Sequence, residues 1–110
     1  MKTPLGMVQF LNVHLRPPIS DDGSWVKGYF MAEDFHQREI EAFQTILDPA
    51  LPTVILGDFN EEPGGDTLDA LQKQGYVNTL TEFDSSPTTW HWNLSIGSLE
   101  GALDLSLIHI

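Results

Sequence analysis

The run TVILG at residues 53–57 limits the fold more than any other stretch of the chain. It is short, apolar and continuous. It ends in Gly57, Asp58, Phe59 and Asn60, and the turn residues Pro63, Gly64 and Gly65 follow. Such a run, bounded by turn signals, is the pattern of a buried strand. Ahead of it, Ile40, Phe43 and Leu47 form an apolar stripe at helical spacing, with Glu33 and Asp34 as an acidic first turn. Pro49 and Pro52 close that helix. A helix, a tight connection and a buried strand together indicate an α/β unit.

A second strand is expected at Met7–Leu15, MVQFLNVHL. Val8, Phe10, Asn12 and His14 fall on one face, and Met7, Gln9, Leu11, Val13 and Leu15 on the other. Both faces are mostly apolar, which predicts a central strand covered on both sides. Arg16-Pro17-Pro18 stops it, and residues 19–32 are expected to form a loop with its turn at SDDGS. Asp66 is the expected N-cap of a further helix through Leu68, Ala70 and Leu71, with Gly75 closing it. Short strands and loops are expected after Tyr76. The fold class is therefore α/β, or more loosely α+β.

The end of the Thr53–Gly57 strand carries the chemistry. Asp58 and Asn60 are two positions apart and would share one face if the strand continued through them. Ligands of open α/β sheets bind beyond the carboxyl ends of the strands. A carboxylate there can orient or deprotonate water, and a carboxamide can donate to an oxyanion. The plainer alternative is an Asx turn, in which both side chains bond nearby backbone. A calcium loop is a further alternative, because Asp58, Asn60, Glu62, Asp66 and Asp69 fall at its ligand places. Pro63 stands where that loop needs Gly, Asp69 stands where it needs Glu, and a strand precedes it instead of a helix.

His14, near the end of the first strand, can contact a phosphate oxygen or a carboxylate, or it can be a core histidine with its hydrogen bonds satisfied. No histidine pair has zinc-binding spacing. In TTWHWN, residues 88–93, Trp90 and Trp92 share a face, as packing aromatics or as a wall of a substrate cleft. Arg38 has Asp34 and Glu41 within helical reach and is expected to form a structural ion pair.

Sixteen acidic residues against five basic ones give a net charge of -11. The five, Lys2, Arg16, Lys27, Arg38 and Lys73, are scattered, which argues against a non-specific nucleic-acid binder. No run approaches the ~18 apolar residues of a membrane span. The N-terminus does not resemble a signal peptide. With no cysteine, a reducing compartment fits, and the cytoplasm is the default localisation.

In chain order, NVHL (12–15), the long loop, the R-x-x-E segment at 38–41, VILGDFNEEP (54–63), TTW (88–90) and GALD (101–104) resemble the C-terminal half of the endonuclease/exonuclease/phosphatase superfamily, with the deoxyribonuclease I-like fold. GDFN is the specific part. The resemblance implies a four-layer α-β-β-α sandwich and hydrolysis of phosphoesters by attack of water on phosphorus. The implied cofactor is Mg²⁺, with Mn²⁺ as its substitute, and its main ligands are expected outside this chain. The implied substrate is a phosphoester, with nucleic acid disfavoured by the acidic charge. His14 matches a histidine that contacts the scissile phosphate. Asp58 matches the aspartate that orients or deprotonates the attacking water, and Asn60 the asparagine that holds a phosphate oxygen. Asp104 matches an aspartate that orients a catalytic histidine in a later S-D-H motif, and Trp90 is the expected substrate contact.

Residues 1–104 are thus expected to be part of one such domain, its C-terminal half without the last strand. The family pattern is lost after Asp104. The remaining LSLIHI equals the translation of a transposon end common in sequencing libraries, so residues 105–110 are expected to be non-native. The chain alone is expected to be inactive. The alternative from another class is a non-catalytic calcium- or partner-binding module.

Overall fold

A computed structural model of the chain describes residues 1–4, 6–17, 25–84 and 88–109, with backbone alone for residues 25–34, 90, 92, 94 and 99. Its centre is a four-stranded sheet. Strand β3 (Gln9–His14) pairs in parallel with β4 (Thr53–Asp58), and β8 (Asp104–His109) lies antiparallel between β4 and the short β5 (Val77–Asn78). Two antiparallel pairs stand apart from it: β1 (Lys2–Thr3) with β2 (Gly6–Met7), and β6 (Trp90–Leu94) with β7 (Gly97–Gly101). The helices are α1 (Trp25–Gln44), α2 (Asp66–Lys73) and the short α3 (Thr79–Phe83).

The β3–α1–β4 unit is the expected crossover. Gln9 fixes its start: its side chain donates to the Asp48 carbonyl (2.6 Å) and Thr53 Oγ1 (2.7 Å), and accepts from the Asp48 N–H (2.9 Å). The period-two alternation of the strands sorts their residues to two faces. Val13, Ile55, Leu105 and Leu107 point inward and pack with Ile40 of α1 and Leu68 and Leu71 of α2. Each such side chain is worth about 1.5–3 kcal/mol of burial.

The opposite face is open. In register across it run Phe10, Val54, Ile108 and Val77, with Phe10 48% and Val77 45% exposed. β3 is therefore a one-sided edge strand among the described residues, not a central strand covered on both faces. Its alternation was legible; the cover on its second face is not present among the described residues.

Helix α1 begins at Trp25, within the segment 19–32 expected to be a loop, and residues 18–24 lie outside the described ones. In WVKGYFMA the apolar residues are too dense to show a clean 3.6 period, and only Gly28 weakens the helix, by about 1 kcal/mol. Glu33 and Asp34 thus sit mid-helix. Asp66 is the first helical residue of α2 and not its N-cap; that place is held by Gly65, which has no side chain to offer. At the other end Gly75 (φ 98°) closes a Schellman motif, with Tyr76 N–H on the Leu71 carbonyl (3.1 Å) and Gly75 N–H on Gln72 (2.9 Å). The short helix α3, capped by Asn78 accepting from Leu80 N–H (3.1 Å), was not anticipated. Residues 105–109 supply the inner strand β8: Leu105 and Leu107 meet the core, and Ser106 alternates between them on the open face.

Gly57 is fixed by two constraints. Its φ is 133°, and a Cβ there would lie 2.0 Å from the Val13 carbonyl oxygen. Gly57→Ala is expected to destabilise the chain by at least about 1–3 kcal/mol, read as a lowered urea midpoint. A midpoint equal to that of the unsubstituted chain would show that β3 and β4 do not approach so closely.

Candidate functional site

The sheet register brings three of the expected residues into one row. His14 is paired with Asp58 across β3 and β4, and Asp58 with Asp104 across β4 and β8. Cross-strand partners stand on the same face, so the three side chains line the open face at the carboxyl ends of β3 and β4. His14 Nε2 lies 3.9 Å from Asp58 Oδ2, within ion-pair range but beyond a hydrogen bond, and the imidazole is 74% exposed. His14 is thus not a core histidine.

Asn60 lies past the strand end, with φ 48°. It does not share a strand face with Asp58. Instead its backbone N–H donates to Asp58 Oδ1 (2.8 Å), forming an Asx turn, and its side-chain Nδ2 donates to the Leu15 carbonyl (2.7 Å). Asp58 Oδ1 is therefore occupied, while Oδ2 faces His14. The carboxamide of Asn60 has a second N–H besides the one given to Leu15.

Asp104 is exposed and its start of β8 is held by Thr89. Thr89 Oγ1 accepts from Leu103 N–H (3.0 Å) and Asp104 N–H (3.1 Å) and donates to the Gly101 carbonyl (3.4 Å). Thr89 of the TTW motif thus holds the start of β8, a contact the sequence reading did not assign to it. Trp90 opens β6 opposite Gly101, and its side chain lies outside the described ones. The loop after Asp58 also holds the approach to β8: Phe59 N–H donates to the Leu103 carbonyl (2.8 Å), and Glu62 Oε2 accepts from Ala102 N–H (3.1 Å).

A buried pair, His36 and Glu61, was missed from sequence. His36 is 1% and Glu61 7% exposed. His36 Nδ1 lies 3.0 Å from Glu61 Oε2, and Nε2 lies 2.6 Å from the Arg16 carbonyl. Glu61 Oε1 accepts from Thr67 N–H (2.9 Å) and Leu68 N–H (3.1 Å), so this carboxylate caps α2 in place of Gly65. Gly65 is required beside it, since a Cβ there would lie 2.2 Å from Glu61 Oε1. Burial alone pulls the His36 pKa down, but the bonds to Glu61 and Arg16 and the charges of Glu61 and Glu39 outweigh it and raise it above 6.5. Burial pushes Glu61 up, and the bonds from His36, Leu68 and Thr67 outweigh it and bring it below 4.5. A lone histidine in a helix and a glutamate after GDFN give no spacing signal; only the tertiary fold pairs them.

Among the described residues, no three His, Asp or Glu side chains converge to hold a metal ion, and the carboxylates at the calcium-loop places do not do so either. Among them too, no helix is long and apolar enough to cross a membrane. Compared with known protein families and with curated proteins, the chain matches none.

Two outcomes follow. Thr89→Val leaves two backbone N–H groups without their acceptor and should cost about 1–3 kcal/mol in urea unfolding, while Thr89→Ser should retain most of it. The raised His36 pKa contributes stability that is complete below pH 6.5 and lost as pH rises through the folded value. The lowered Glu61 pKa contributes stability that is complete above pH 4.5 and lost as pH falls through its folded value. The difference in stability between the chain and its His36→Gln variant should therefore be greatest between pH 4.5 and 6.5. A difference independent of pH would exclude an ionised pair.

Proposed function

We propose that the chain is part of a metal-dependent phosphoester hydrolase of the endonuclease/exonuclease/phosphatase superfamily, acting by attack of water on phosphorus. The observation that carries this reading is the row His14–Asp58–Asp104 on one open sheet face, with Asn60 fixed at its edge. In this reading Asp58 Oδ2 orients or deprotonates water while Oδ1 is held by the turn. His14 and the second N–H of Asn60 hold phosphoryl oxygens. Asp104 orients a histidine supplied from outside these residues. In this reading the main ligands of Mg²⁺, or Mn²⁺, lie outside this chain.

The four-layer sandwich belongs to the same proposal. The row Phe10, Val54, Ile108 and Val77 is an apolar face of the kind that a second sheet covers. The net charge of -11 repels polyanions and favours a small or lipid phosphoester over a polynucleotide. Residues 105–110 are read as non-native, standing where a native continuation with the same alternation belongs.

The chain alone should not turn over bis-p-nitrophenyl phosphate or p-nitrophenyl phosphate with Mg²⁺ or Mn²⁺. The longer reading frame that contains it should, and Asp58→Ala should lower that rate about 10²–10⁴-fold. A rate unchanged by Asp58→Ala would overturn the assignment. Sequencing the source locus across Asp104 should reveal a continuation other than LSLIHI, and a genomic LSLIHI followed by a stop would refute the non-native reading.

A further inference from the structure

We infer that His36 and Glu61 form a protonation-dependent latch that positions the Asp58–Asn60 turn against the end of β3. Beyond the last residues of β3 and β4, the two chain segments stay together through three successive links. Leu15 N–H donates to the Asp58 carbonyl (2.9 Å). Asn60 Nδ2 donates to the Leu15 carbonyl (2.7 Å). The next residue on each side, Arg16 and Glu61, is then joined through the His36 ring (2.6 and 3.0 Å). The imidazole thus serves as a third rung, prolonging the parallel pairing past the strand ends and setting where Asp58 stands relative to His14. The same Glu61 carboxylate caps α2, so the turn is fixed from both sides.

The rung depends on its proton. The Arg16 carbonyl only accepts, so His36 Nε2 must carry a hydrogen. Nδ1 faces a carboxylate that already accepts two backbone N–H groups on its other oxygen, so Nδ1 must carry one as well. A neutral imidazole has a single N–H and cannot serve both. Deprotonation therefore leaves either the Arg16 carbonyl or the buried Glu61 charge without its donor. Among the described charged groups, Glu39 acts in the same direction as Glu61. Glu39, one turn along α1, favours the cation, and its Oε2 accepts from Arg16 N–H (3.2 Å). The Arg16 guanidinium stacks over Phe35, 4.5 Å from its ring centroid. From α2, Asp66 and Asp69 stand in the first turn, whose N–H groups Glu61 caps.

This inference bears on catalysis only through the proposed hydrolytic role of Asp58, but its test needs no substrate. In the ¹⁵N-labelled full chain, the ring signals of His36 and the backbone and side-chain amide signals of Asn60 are followed against pH. The Asn60 signals should move with the His36 midpoint, above 6.5. In Glu39→Gln, which leaves the pair in place, both midpoints should fall together. In Glu61→Gln the His36 midpoint should fall further, and the Asn60 signals should follow it. His14→Gln should leave the Asn60 midpoint unchanged. The inference is overturned if Asn60 is insensitive to His36 titration, or if its midpoint disappears in His14→Gln. Should Glu61→Gln fail to fold, the Glu39→Gln comparison decides alone. If hydrolysis proves absent while the coupled titration is present, only the functional reading fails.

Discussion

The close approach of Gly57 to β3 is the constraint on which the rest of the molecule depends. The backbone there passes so near the Val13 carbonyl that no side chain fits. The five residues that follow are tied in turn to several parts of the fold. Asp58 bonds its own turn and the end of β3, and Phe59 is fully buried in the core. Asn60 reaches back to Leu15, Glu61 joins α1 to α2, and Glu62 holds the loop before β8. A segment that is tied to so many elements cannot shift without disturbing all of them. Rigidity at that point is what a set of reacting groups requires, because small displacements are costly in rate.

What the sequence disclosed, and what it hid, follows from the range of the interactions involved. The β3–α1–β4 unit was legible because apolar periodicity, proline stops and a glycine turn are local signals. The start of α1 was not, because the dense apolar run in WVKGYFMA has no polar face to reveal its period. The one-sided exposure of β3 was hidden for a different reason: alternation tells which residues share a face but not whether anything lies against it. The Glu61 cap of α2 and the His36–Glu61 pair join residues far apart in sequence, through geometry that only the folded chain defines. Of the candidate site, residue types at the strand ends were visible, and the register that aligns them was not.

The role of histidines shows how far exposure, and not residue type, decides chemistry. His14 was the histidine for which a buried, satisfied state was the plain alternative, yet it stands in the open row. His36 drew no notice and is the one sealed in the core, with both ring nitrogens committed. The first is free to meet a ligand and the second is not. In an acidic chain this arrangement leaves one imidazole within ion-pair range of Asp58, while the other bonds the buried Glu61 carboxylate.

The Asx turn and the proposed site, set against each other as alternatives by the sequence, use the same residues without conflict. A carboxylate has two oxygens, and the turn uses only one. With Oδ1 of Asp58 accepting from the Asn60 backbone, rotation of the carboxylate is restricted, and Oδ2 is directed toward His14. Asn60 is shared in the same way: one amide hydrogen serves Leu15 and the other stays available. The left-handed backbone at Asn60, a conformation asparagine tolerates better than most residues, is what lets both contacts form at once. The turn therefore supplies the preorganisation that the proposed water-orienting role of Asp58 needs. The pairing of Asp and Asn across a single phenylalanine is accounted for by that shared geometry, with Phe59 in the core as its pivot.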